Sequence, residues 1–269
     1  MKKSEAQTRI TEKEVARYWD GNADLWTKHV RKGRDTYREY FNNPNFFKFV
    51  GSLAGKKVLD AGCGEGYNTR ILAQRGAKVT GVDISQKMIR YAQQRERKEP
   101  LCIHYKVASF SDLKPFDNES FDIIVSSMAL MDSPGFSESA KQFFRVLRKK
   151  GDLFFSITHP CFMTRGFGWV EDTVDKTVKL TVSDYFNEES WVEHWRFSDL
   201  LPSARTKTFA VPTFSRTLSD YFNGLTKAGF ILKRIKEPRP TQRMCRLNPD
   251  FQRWRDTGAL FLYIHARRP

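Results

Sequence analysis

The sequence predicts an α/β fold in which a mostly parallel sheet is covered by helices on both faces. From Lys56 onward, short apolar segments alternate with amphipathic ones, and the apolar segments are hydrophobic on both faces, as in the strands of a buried parallel sheet. Glycines at positions 62, 64 and 66 follow the first apolar segment directly and mark a strand-to-helix turn. These observations favour a doubly wound sheet.

Before this alternation, residues 11–52 are predicted to be helical. Their apolar side chains recur at three- and four-residue spacings, and Pro44 can begin a further helix. Five strands are predicted next, with the sequences KKVLDAG, AKVTGVD, LCIHYKVA, FDIIVSSMA and GDLFFSITH. The helices predicted between them are GYNTRILAQRG, closed by Gly76, SQKMIRYAQQRERK, capped by Ser85, and ESAKQFFRVLRK.

The alternation stops after His159. Residues 161–212 contain three segments typical of short strands, TVDKTVKLTV, SWVEHWRF and ARTKTFAV, and are predicted to form a β-rich insertion. The helix TLSDYFNGLTKAGF, which begins at Thr217 and ends at Gly229, restores the pattern. Two further strands, ILKRIKE and GALFLYIHAR, complete it.

The composition excludes several classes of protein. A hydrophobic content of 40% and an aromatic content of 14% argue against a disordered chain. No apolar run approaches the roughly 20 residues that a membrane-spanning helix needs. The first residues, MKKSEAQTRITEKEV, lack the apolar stretch of a secretory leader. The four cysteines are widely spaced without a C-x-x-C pair, which favours a reduced, cytoplasmic protein.

The net charge of +15 is the feature that invites a nucleic-acid function. Its distribution argues otherwise, because residues 227–269 contain 11 basic and 3 acidic side chains, whereas residues 161–226 contain 7 basic and 9 acidic ones. The basic end shows no helical stripe of charge and no zinc-finger or RNA-recognition signature. We therefore expect a solvated basic surface, with nucleic acid as the minority interpretation.

The glycine turn, residues 62–66, predicts a nucleoside site. Its bare backbone near a helix N-terminus lets a ligand approach closely, and Asp83, which ends the next strand, can accept hydrogen bonds from both hydroxyls of a ribose. The spacing is G-x-G-x-G with Asp60 before it, whereas dinucleotide sites use G-x-G-x-x-G. An acid there repels a phosphate but suits the ammonium group of S-adenosylmethionine, which carries no phosphate.

At these residues the sequence resembles the class I S-adenosylmethionine-dependent methyltransferases, and within them the type 11 group of mostly small-molecule enzymes. The matching segments are VLDAGCGEGYNTR, VTGVDISQKMI, PFDNESFDIIVSSMAL and RVLRKKGDLFFSITHP. The resemblance implies a Rossmann-like sheet of seven strands, mostly parallel with the last strand antiparallel, an N-terminal helical lid and a β-rich cap inserted after the fifth strand. It divides the chain into a lid (1–52), a cofactor-binding core (53–160), a substrate-capping insertion (161–212) and a C-terminal completion of the core (213–269).

The resemblance also implies cofactor contacts. Residues of the glycine turn and Asp60 would surround the methionine end, Asp83 would bind the ribose, and Ile84 and Met88 would pack on the adenine. The full expected set is Asp60, Gly62, Cys63, Gly64, Gly66, Asp83, Ile84, Met88, Ser109, Phe110, Ser126 and Met128. The acid that the family commonly places after the third strand is absent from residues 108–110 or displaced to Asp112, which is a departure from the family pattern. No metal site is predicted.

Methyl transfer from a sulfonium is an in-line displacement that needs a base only if the acceptor starts protonated. His159 is the candidate base, because it follows the fifth strand at the carboxyl edge of the sheet; the alternative is a histidine that holds the loop before Pro160. Cys161 resembles the nucleophile of cytosine methyltransferases, in which the Pro-Cys pair follows the fourth strand, whereas here it follows the fifth. RNA-acting relatives can carry their nucleophile after the fifth strand, but their other hallmarks are missing from this sequence. The [DN]-P-P-[FYW] motif for base amines is absent after FDIIV.

Aromatic residues of the lid and the insertion are the expected walls of a substrate pocket. The expected substrate contacts are Tyr18, Trp19, Tyr37, Arg38, His159, Tyr185, Trp191 and Arg239. The predicted function is methyl transfer from S-adenosylmethionine to an oxygen, nitrogen or carbon atom of an anionic or aromatic small molecule, with S-adenosylhomocysteine as product. The alternatives are an RNA methyltransferase that uses the basic C-terminal region and a non-catalytic S-adenosylmethionine-binding protein.

Overall fold

The fold is described by a computed structural model over residues 10–174, 176–197 and 207–269. The strands of this part of the chain are β1 (Lys57–Ala61), β2 (Lys78–Asp83), β3 (His104–Val107), β4 (Phe121–Ser127), β5 (Leu147–Thr158), β6 (Gly168–Glu171), β7 (Val178–Thr181), β8 (Ser190–Trp195), β9 (Phe209–Phe214), β10 (Ile231–Lys236) and β11 (Phe261–Arg267). The helices are α1 (Glu12–Val30), α2 (Asn43–Val50), α3 (Tyr67–Gln74), α4 (Gln86–Lys98), α5 (Phe136–Val146), α6 (Leu218–Lys227), α7 (Gln242–Leu247) and α8 (Asp250–Thr257).

Seven strands form one sheet in the order β10-β11-β5-β4-β1-β2-β3. β1 pairs in parallel with β2 and β4, and β4 pairs in parallel with β5. β11 lies antiparallel between β5 and β10. The predicted doubly wound, mostly parallel sheet with an antiparallel last strand is confirmed, and the order reverses beside β1, which places the carboxyl ends of β1, β2 and β4 around one crevice.

Both faces of the sheet are covered by helices. On one face, Phe136 and Phe143 of α5 and Tyr221 of α6 pack against buried strand residues such as Leu153. On the other face, α2 and α8 contribute Phe46, Phe49, Phe251 and Trp254. The nearly all-apolar composition of β4 and β5 follows from this burial on both sides.

The β-rich insertion after β5 consists of two antiparallel hairpins, β6–β7 and β8–β9. Of the predicted strands, the described part of TVDKTVKLTV is a strand at Val178–Thr181, and SWVEHWRF matches β8. The start of ARTKTFAV lies outside the described residues, and its described part enters β9 at Phe209. β6 and the short helices α7 and α8 have no counterpart among the predicted elements.

One predicted boundary is wrong. The helix predicted to continue through Lys149 ends at Val146, and Leu147 already begins β5. Leu147 pairs with Phe121 at the start of β4, so sheet pairing overrides the helix propensity of Leu-Arg-Lys-Lys. Among the described residues, no helix is both long and apolar enough to cross a bilayer.

Candidate active site

A cavity of about 670 Å³ opens at the carboxyl edge of the sheet. Its floor is formed by residues that follow β1, β2, β3 and β4, namely Gly62, Cys63, Gly64, Glu65, Asp83, Ile84, Ser109, Phe110, Met128 and Asp132. Its roof comes from α1, from the segment before α2 and from the insertion, with Trp19, Trp26, Tyr37, Arg38, Trp195 and Val211. Size and position are those of a ligand site in a doubly wound fold.

The glycine turn needs its glycines for steric reasons. Gly62 has φ +83°, and a Cβ placed there would lie 2.3 Å from the Cβ of Ala129. Gly66 has φ +87°, and its Cβ would lie 2.6 Å from the hydroxyl of Tyr105. The backbone amides of Gly62 and Cys63 both donate to the carbonyl of Val82, at 2.8 and 2.9 Å. The chain can therefore bend tightly between β1 and α3 only without side chains at these positions.

Asp83 anchors the glycine turn to the end of β2. Its Oδ2 accepts a hydrogen bond from the backbone N–H of Gly64, and its Oδ1 accepts one from the N–H of Ser85, both at 2.9 Å. Burial raises the pKa of Asp83 to about 6, although the two hydrogen bonds oppose this. Its carboxylate lines the cavity at the position where a ribose hydroxyl pair is bound in this fold class.

Two further acids face the cavity beside the turn. Asp60 is buried, accepts a hydrogen bond from the hydroxyl of Thr69 at 2.7 Å, and has its pKa raised to about 7 by burial, with a smaller contribution from Asp83. Glu65 pairs with Nε of Arg31 at 3.2 Å through one oxygen, while its buried Oε1 has no hydrogen-bond partner among the described residues. Buried acids of this kind fit the ammonium end of S-adenosylmethionine, because a bound cation compensates their desolvation.

The segment before α2 forms a π-helical turn, Tyr37–Asn42, a geometry often found at functional sites. It carries Arg38 into the cavity wall, with the guanidinium 4.3 Å from the ring centre of Tyr67 at the start of α3. Arg38 is also hydrogen-bonded to Glu39 at 3.2 Å. A cation thus stands beside the glycine turn.

α1 lies over the cavity and is held at two points. The Oδ1 of Asp20 accepts hydrogen bonds from the Ser85 hydroxyl and the Lys87 amide at the start of α4, at 2.6 and 2.9 Å. The side chain of Asn22 exchanges two hydrogen bonds with the backbone of Ala210 in β9, at 2.8 and 3.2 Å. α1 therefore joins the cofactor side of the fold to the insertion.

An aromatic cluster forms part of the roof of the cavity and also contacts Tyr67 at the start of α3. Trp26 of α1 is its centre, with ring centres of Trp19 at 5.1 Å, Trp195 at 5.6 Å, and Phe197 and Phe209 at 5.5 Å each. These rings join α1 to the β8–β9 hairpin. Aromatic side chains of the lid and the insertion therefore form part of the cavity wall. That they contact a substrate stays a prediction.

Two acids at this end of the cavity escaped sequence reasoning. Asp132 ends a 3₁₀ turn, Leu130–Asp132, shortly after β4, and is 8% exposed. Burial raises its pKa well above the usual value, with Glu193 of β8 adding to the effect. Glu193 also lines the cavity, but its side chain is exposed, so its carboxylate remains in contact with water. In the sequence, Asp132 is marked only as an acid that follows a core strand. Glu193 is marked only by standing two residues before Trp195, which places both side chains on one face of a strand.

Most of the expected cofactor residues line the cavity. They are Asp60, Gly62, Cys63, Gly64, Asp83, Ile84, Met88, Ser109, Phe110 and Met128. Gly66 and Ser126 do not line it: Gly66 caps α3 in a left-handed conformation, and the hydroxyl of Ser126 is buried on the carbonyl of Ala61 at 2.7 Å. These two support the wall from behind.

Of the expected substrate residues, Trp19, Tyr37 and Arg38 line the cavity, whereas the others do not. The Tyr185 hydroxyl accepts a hydrogen bond from the amide of Leu218, Trp191 lies under the guanidinium of Arg165, and Nε of Arg239 donates to the carbonyl of Arg255. Tyr18 lies on α1 but outside the lining residues. Sequence reasoning placed these side chains in the correct elements but had no information on which face meets the cavity.

His159 requires a correction. It is 2% exposed and lies outside the cavity lining. Its Nε2 is 2.7 Å from Oε1 of Glu237, and its Nδ1 accepts a hydrogen bond from the amide of Cys161 at 3.2 Å. Both ring nitrogens are therefore used to hold the loop after β5, which is the alternative that the sequence left open, and burial lowers the pKa of the ring.

The basic C-terminal residues lie largely outside the cavity. Of the basic side chains in residues 227–269, Arg253 is the one that lines it. Arg234 donates to the carbonyl of Phe49 and Arg268 to that of Phe144, so these two stabilise packing between elements. No group of three or more His, Cys, Asp or Glu side chains among the described residues is arranged to hold a metal ion.

Comparison with known proteins identifies the chemistry. Residues 59–155 match a family described as "Methyltransferase domain" (Methyltransf_11). An S-adenosylmethionine-dependent methyltransferase from Mesorhizobium loti superposes with a TM-score of 0.68 at 26% identity, covering 84% of this chain and 96% of that one. A putative S-adenosylmethionine-dependent methyltransferase from Listeria monocytogenes gives 0.66 at 27% identity, covering 85% and 96%.

A curated relative is the ubiquinone biosynthesis O-methyltransferase of Pseudomonas entomophila, 35% identical over 105 residues. The match covers 39% of this chain and 45% of that enzyme, so it spans less than half of the relative. The domain match over residues 59–155 and the two solved structures support a class I S-adenosylmethionine-dependent methyltransferase with S-adenosylmethionine as its cofactor.

Proposed function

We propose that this enzyme transfers the methyl group of S-adenosylmethionine to a small molecule held in the cavity between the glycine turn and the aromatic cluster. The observation that carries the proposal is the continuity of this cavity. One space of about 670 Å³ is lined both by a nucleoside-type turn and by a roof of Trp19, Trp26 and Trp195. A cofactor and a compact acceptor fit such a space, whereas a polynucleotide needs an open groove.

The proposed cofactor contacts follow from the polar groups around the glycine turn. Asp83 would accept hydrogen bonds from the ribose, and Ile84 and Met88 would pack on the adenine. Asp60 and the unpartnered oxygen of Glu65 would receive the ammonium group. Arg38 was expected to bind substrate, but its position against Tyr67 suits the cofactor carboxylate better.

S-adenosylmethionine, when bound, supplies a methyl group activated by the positive sulfur. The protein's own contribution is then alignment and exclusion of water, and alignment alone contributes on the order of 7–11 kcal/mol to lowering a barrier. α1, held by Asp20 and Asn22, and the β8–β9 hairpin exclude water from above. We retain the division into lid (1–52), core (53–160), insertion (161–212) and completion (213–269) as part of this proposal.

A small-molecule acceptor is favoured over RNA by where the charges lie. The basic residues 227–269 contribute one side chain, Arg253, to the cavity lining. Over the whole lining, seven acids outnumber four arginines; the acids are Glu12, Asp35, Asp60, Glu65, Asp83, Asp132 and Glu193, and the arginines are Arg34, Arg38, Arg196 and Arg253. Phosphate would be repelled from such walls. We also propose a cytoplasmic location, because all four cysteines are free thiols.

The cofactor site is tested by calorimetry with S-adenosylmethionine on Asp83→Ala. Loss of charge-assisted hydrogen bonds to two hydroxyls is expected to weaken binding by about 100-fold. Asp117→Ala, an exposed acid outside the cavity, is the matched control and should bind as the unmodified enzyme does. Unchanged affinity in Asp83→Ala would refute the assignment.

The acceptor class is tested by incubating the enzyme with methyl-labelled S-adenosylmethionine and either the RNA fraction or the small-molecule fraction of a cell extract. We expect label in the small-molecule fraction. Label confined to RNA, together with RNA binding that weakens steeply with added salt, would overturn this part of the proposal.

A further inference from the structure

Asp132 is a buried acid with no described partner. Its residue is 8% exposed and lines the cavity, yet no described donor forms a hydrogen bond with its carboxylate; its backbone amide alone is bonded, to the carbonyl of Ala129. Buried carboxylates are normally paired, because an isolated one loses its hydration without compensation. A group of this kind facing a ligand cavity indicates that the partner is the ligand.

The charges facing Asp132 come from three other elements. Glu193 of β8 and Asp83 at the end of β2 raise its pKa, and Arg216, before α6, lowers it. The guanidinium of Arg216 is engaged elsewhere, donating to the carbonyls of Leu130 and Ser133 on either side of Asp132. Arg216 therefore fixes the backbone of the turn and forms no ion pair with the Asp132 carboxylate.

Glu193 is brought over Asp132 by the insertion. β9 packs on the turn Leu130–Asp132, and Glu193 of β8 pairs with Val211 of β9. Both Glu193 and Val211 line the cavity, and no described donor forms a hydrogen bond with the Glu193 carboxylate. Asp132, which is buried, and Glu193, which is exposed, thus both line the cavity without described donors to their carboxylates.

The surrounding wall is aromatic. Trp195 follows Glu193 at two residues on the same strand, so both side chains lie on one face, and Trp195 packs against Trp26. Indole faces attract cations, and desolvated sites strengthen that attraction. Arg196, which follows Trp195, is a cation in the same lining, and Glu193 is exposed, so the preference for a cation rests on Asp132. A buried acid without a described partner beside tryptophan rings suits an organic ammonium group.

Resting on the proposed function, we infer that the methyl acceptor is a small alkylamine that carries an aromatic ring, whose ammonium nitrogen is bound by the buried Asp132 with the exposed Glu193 beside it and whose ring lies against Trp26 and Trp195. Asp132 also acts as the base. Its ionised carboxylate takes one proton from the bound ammonium, leaving the amine with a free electron pair. That pair forms the new nitrogen–carbon bond to the methyl group while the carbon–sulfur pair stays on sulfur, so the products are a methylated ammonium and the neutral thioether.

The test is calorimetry on enzyme saturated with S-adenosylhomocysteine, using three indoles of one shape. Tryptamine is cationic, tryptophol neutral and indole-3-acetate anionic. We expect tryptamine to bind at least about tenfold more tightly than tryptophol, and indole-3-acetate to bind weakest. Asp132→Asn and Glu193→Gln should each reduce tryptamine affinity by about tenfold while leaving tryptophol unchanged.

Controls separate this inference from the proposed function and from misfolding. Asp117→Asn removes an equal charge from the exposed surface and should leave all three affinities unchanged. Asp132→Asn is isosteric and removes an uncompensated buried acid, so its melting temperature should equal or exceed that of the parent. A rise of tryptamine affinity with pH, as Asp132 ionises, should disappear in Asp132→Asn.

Equal binding of tryptamine and tryptophol, no binding of tryptamine, or tryptamine affinity unaffected by Asp132→Asn would each overturn the inference. If S-adenosylhomocysteine binds while tryptamine does not, the amine acceptor fails and the cofactor site stands. If S-adenosylhomocysteine itself does not bind, the proposed function fails first.

Discussion

Two pairs of acids that line the cavity differ in whether their carboxylates accept hydrogen bonds. Asp60 and Asp83, beside the glycine turn, accept hydrogen bonds from Thr69, Gly64 and Ser85, all within a stretch of 26 residues. Asp132 and Glu193, at the acceptor end, accept none from the described residues and come from elements far apart in the chain.

This difference separates two kinds of binding site. The cofactor end is a self-supporting local structure, in which each acid has a structural task besides ligand binding. The acceptor end is assembled from α1, the turn after β4 and the insertion, and its acids have no structural task among the described residues. A buried acid without a partner lowers the free energy of unfolding. Such groups are expected where a bound ligand compensates for that loss.

The largest effect is expected at the cofactor end, from Gly62→Ala. The new Cβ would collide with Ala129 at 2.3 Å in a backbone conformation with φ +83°, and strain and displacement each cost about 1–3 kcal/mol. Binding of S-adenosylmethionine should fall by at least about 100-fold in calorimetry.

Gly55→Ala is the matched control for this change. Gly55 has φ +74° and nothing within 4 Å of a built Cβ, so it shares the backbone strain but not the collision. Its affinity for S-adenosylmethionine should match the parent. Equal losses in both variants would show that the glycine turn is not special.

A smaller effect is expected from pH, again at the cofactor end. In the free enzyme the pKa of Asp60 is raised from 3.8 to about 7 and that of Asp83 to about 6. The folded state then holds more protons than the unfolded state, so the free energy of unfolding contributed by these groups falls as pH rises from about 4 to about 7. A bound ammonium favours the ionised acids, so affinity for S-adenosylmethionine should rise by up to about tenfold per pH unit in that window.

The measurement is calorimetry at pH values across the window, in buffers of different ionisation enthalpy, which also reports the protons released on binding. Asp60→Asn should flatten the upper part of the profile. An affinity that does not change with pH in the parent enzyme would contradict the proposed contact between Asp60 and the ammonium group.

The smallest effect on cofactor binding is expected from Asn22→Ala, which acts on the acceptor end. It removes both hydrogen bonds between α1 and Ala210 of β9, while Asp20 still holds α1 to the start of α4. Amide hydrogen exchange should accelerate in β8 and β9, with S-adenosylhomocysteine affinity changed by less than about threefold.

Asn223→Ala, an exposed asparagine on α6, is the control and should leave exchange in the hairpin unchanged. If Asn22→Ala weakens S-adenosylhomocysteine binding as strongly as Gly62→Ala does, the two ends of the cavity are not independent. The comparison between them would then have to be abandoned.

Much of the fold was predictable because its signals are short-range. Alternating strands and helices, the cap at Ser85 and the glycine turn each follow from residues within one or two turns of each other. The boundary at Leu147 was not predictable, since pairing with Phe121 decided it. The helices α7 and α8 were also missed. α2 and α3 are no longer than α8, but Pro44 and the glycine turn mark where they begin, and no such mark was recognised for α7 and α8.

For the site, the sequence by itself determined the cofactor end, since Gly62, Gly64 and Asp83 form a motif whose spacing already specifies a turn against a nucleoside. The tertiary structure alone decided the acceptor end. It places the ring of His159 against the carboxylate of Glu237, outside the cavity lining. It also brings Asp132, Glu193 and Trp26 into the lining of one cavity. The physical reason is that a side chain's role there depends on which faces of distant elements pack together. A sequence pattern shows how often residues recur on one face of an element, but not which other element that face contacts.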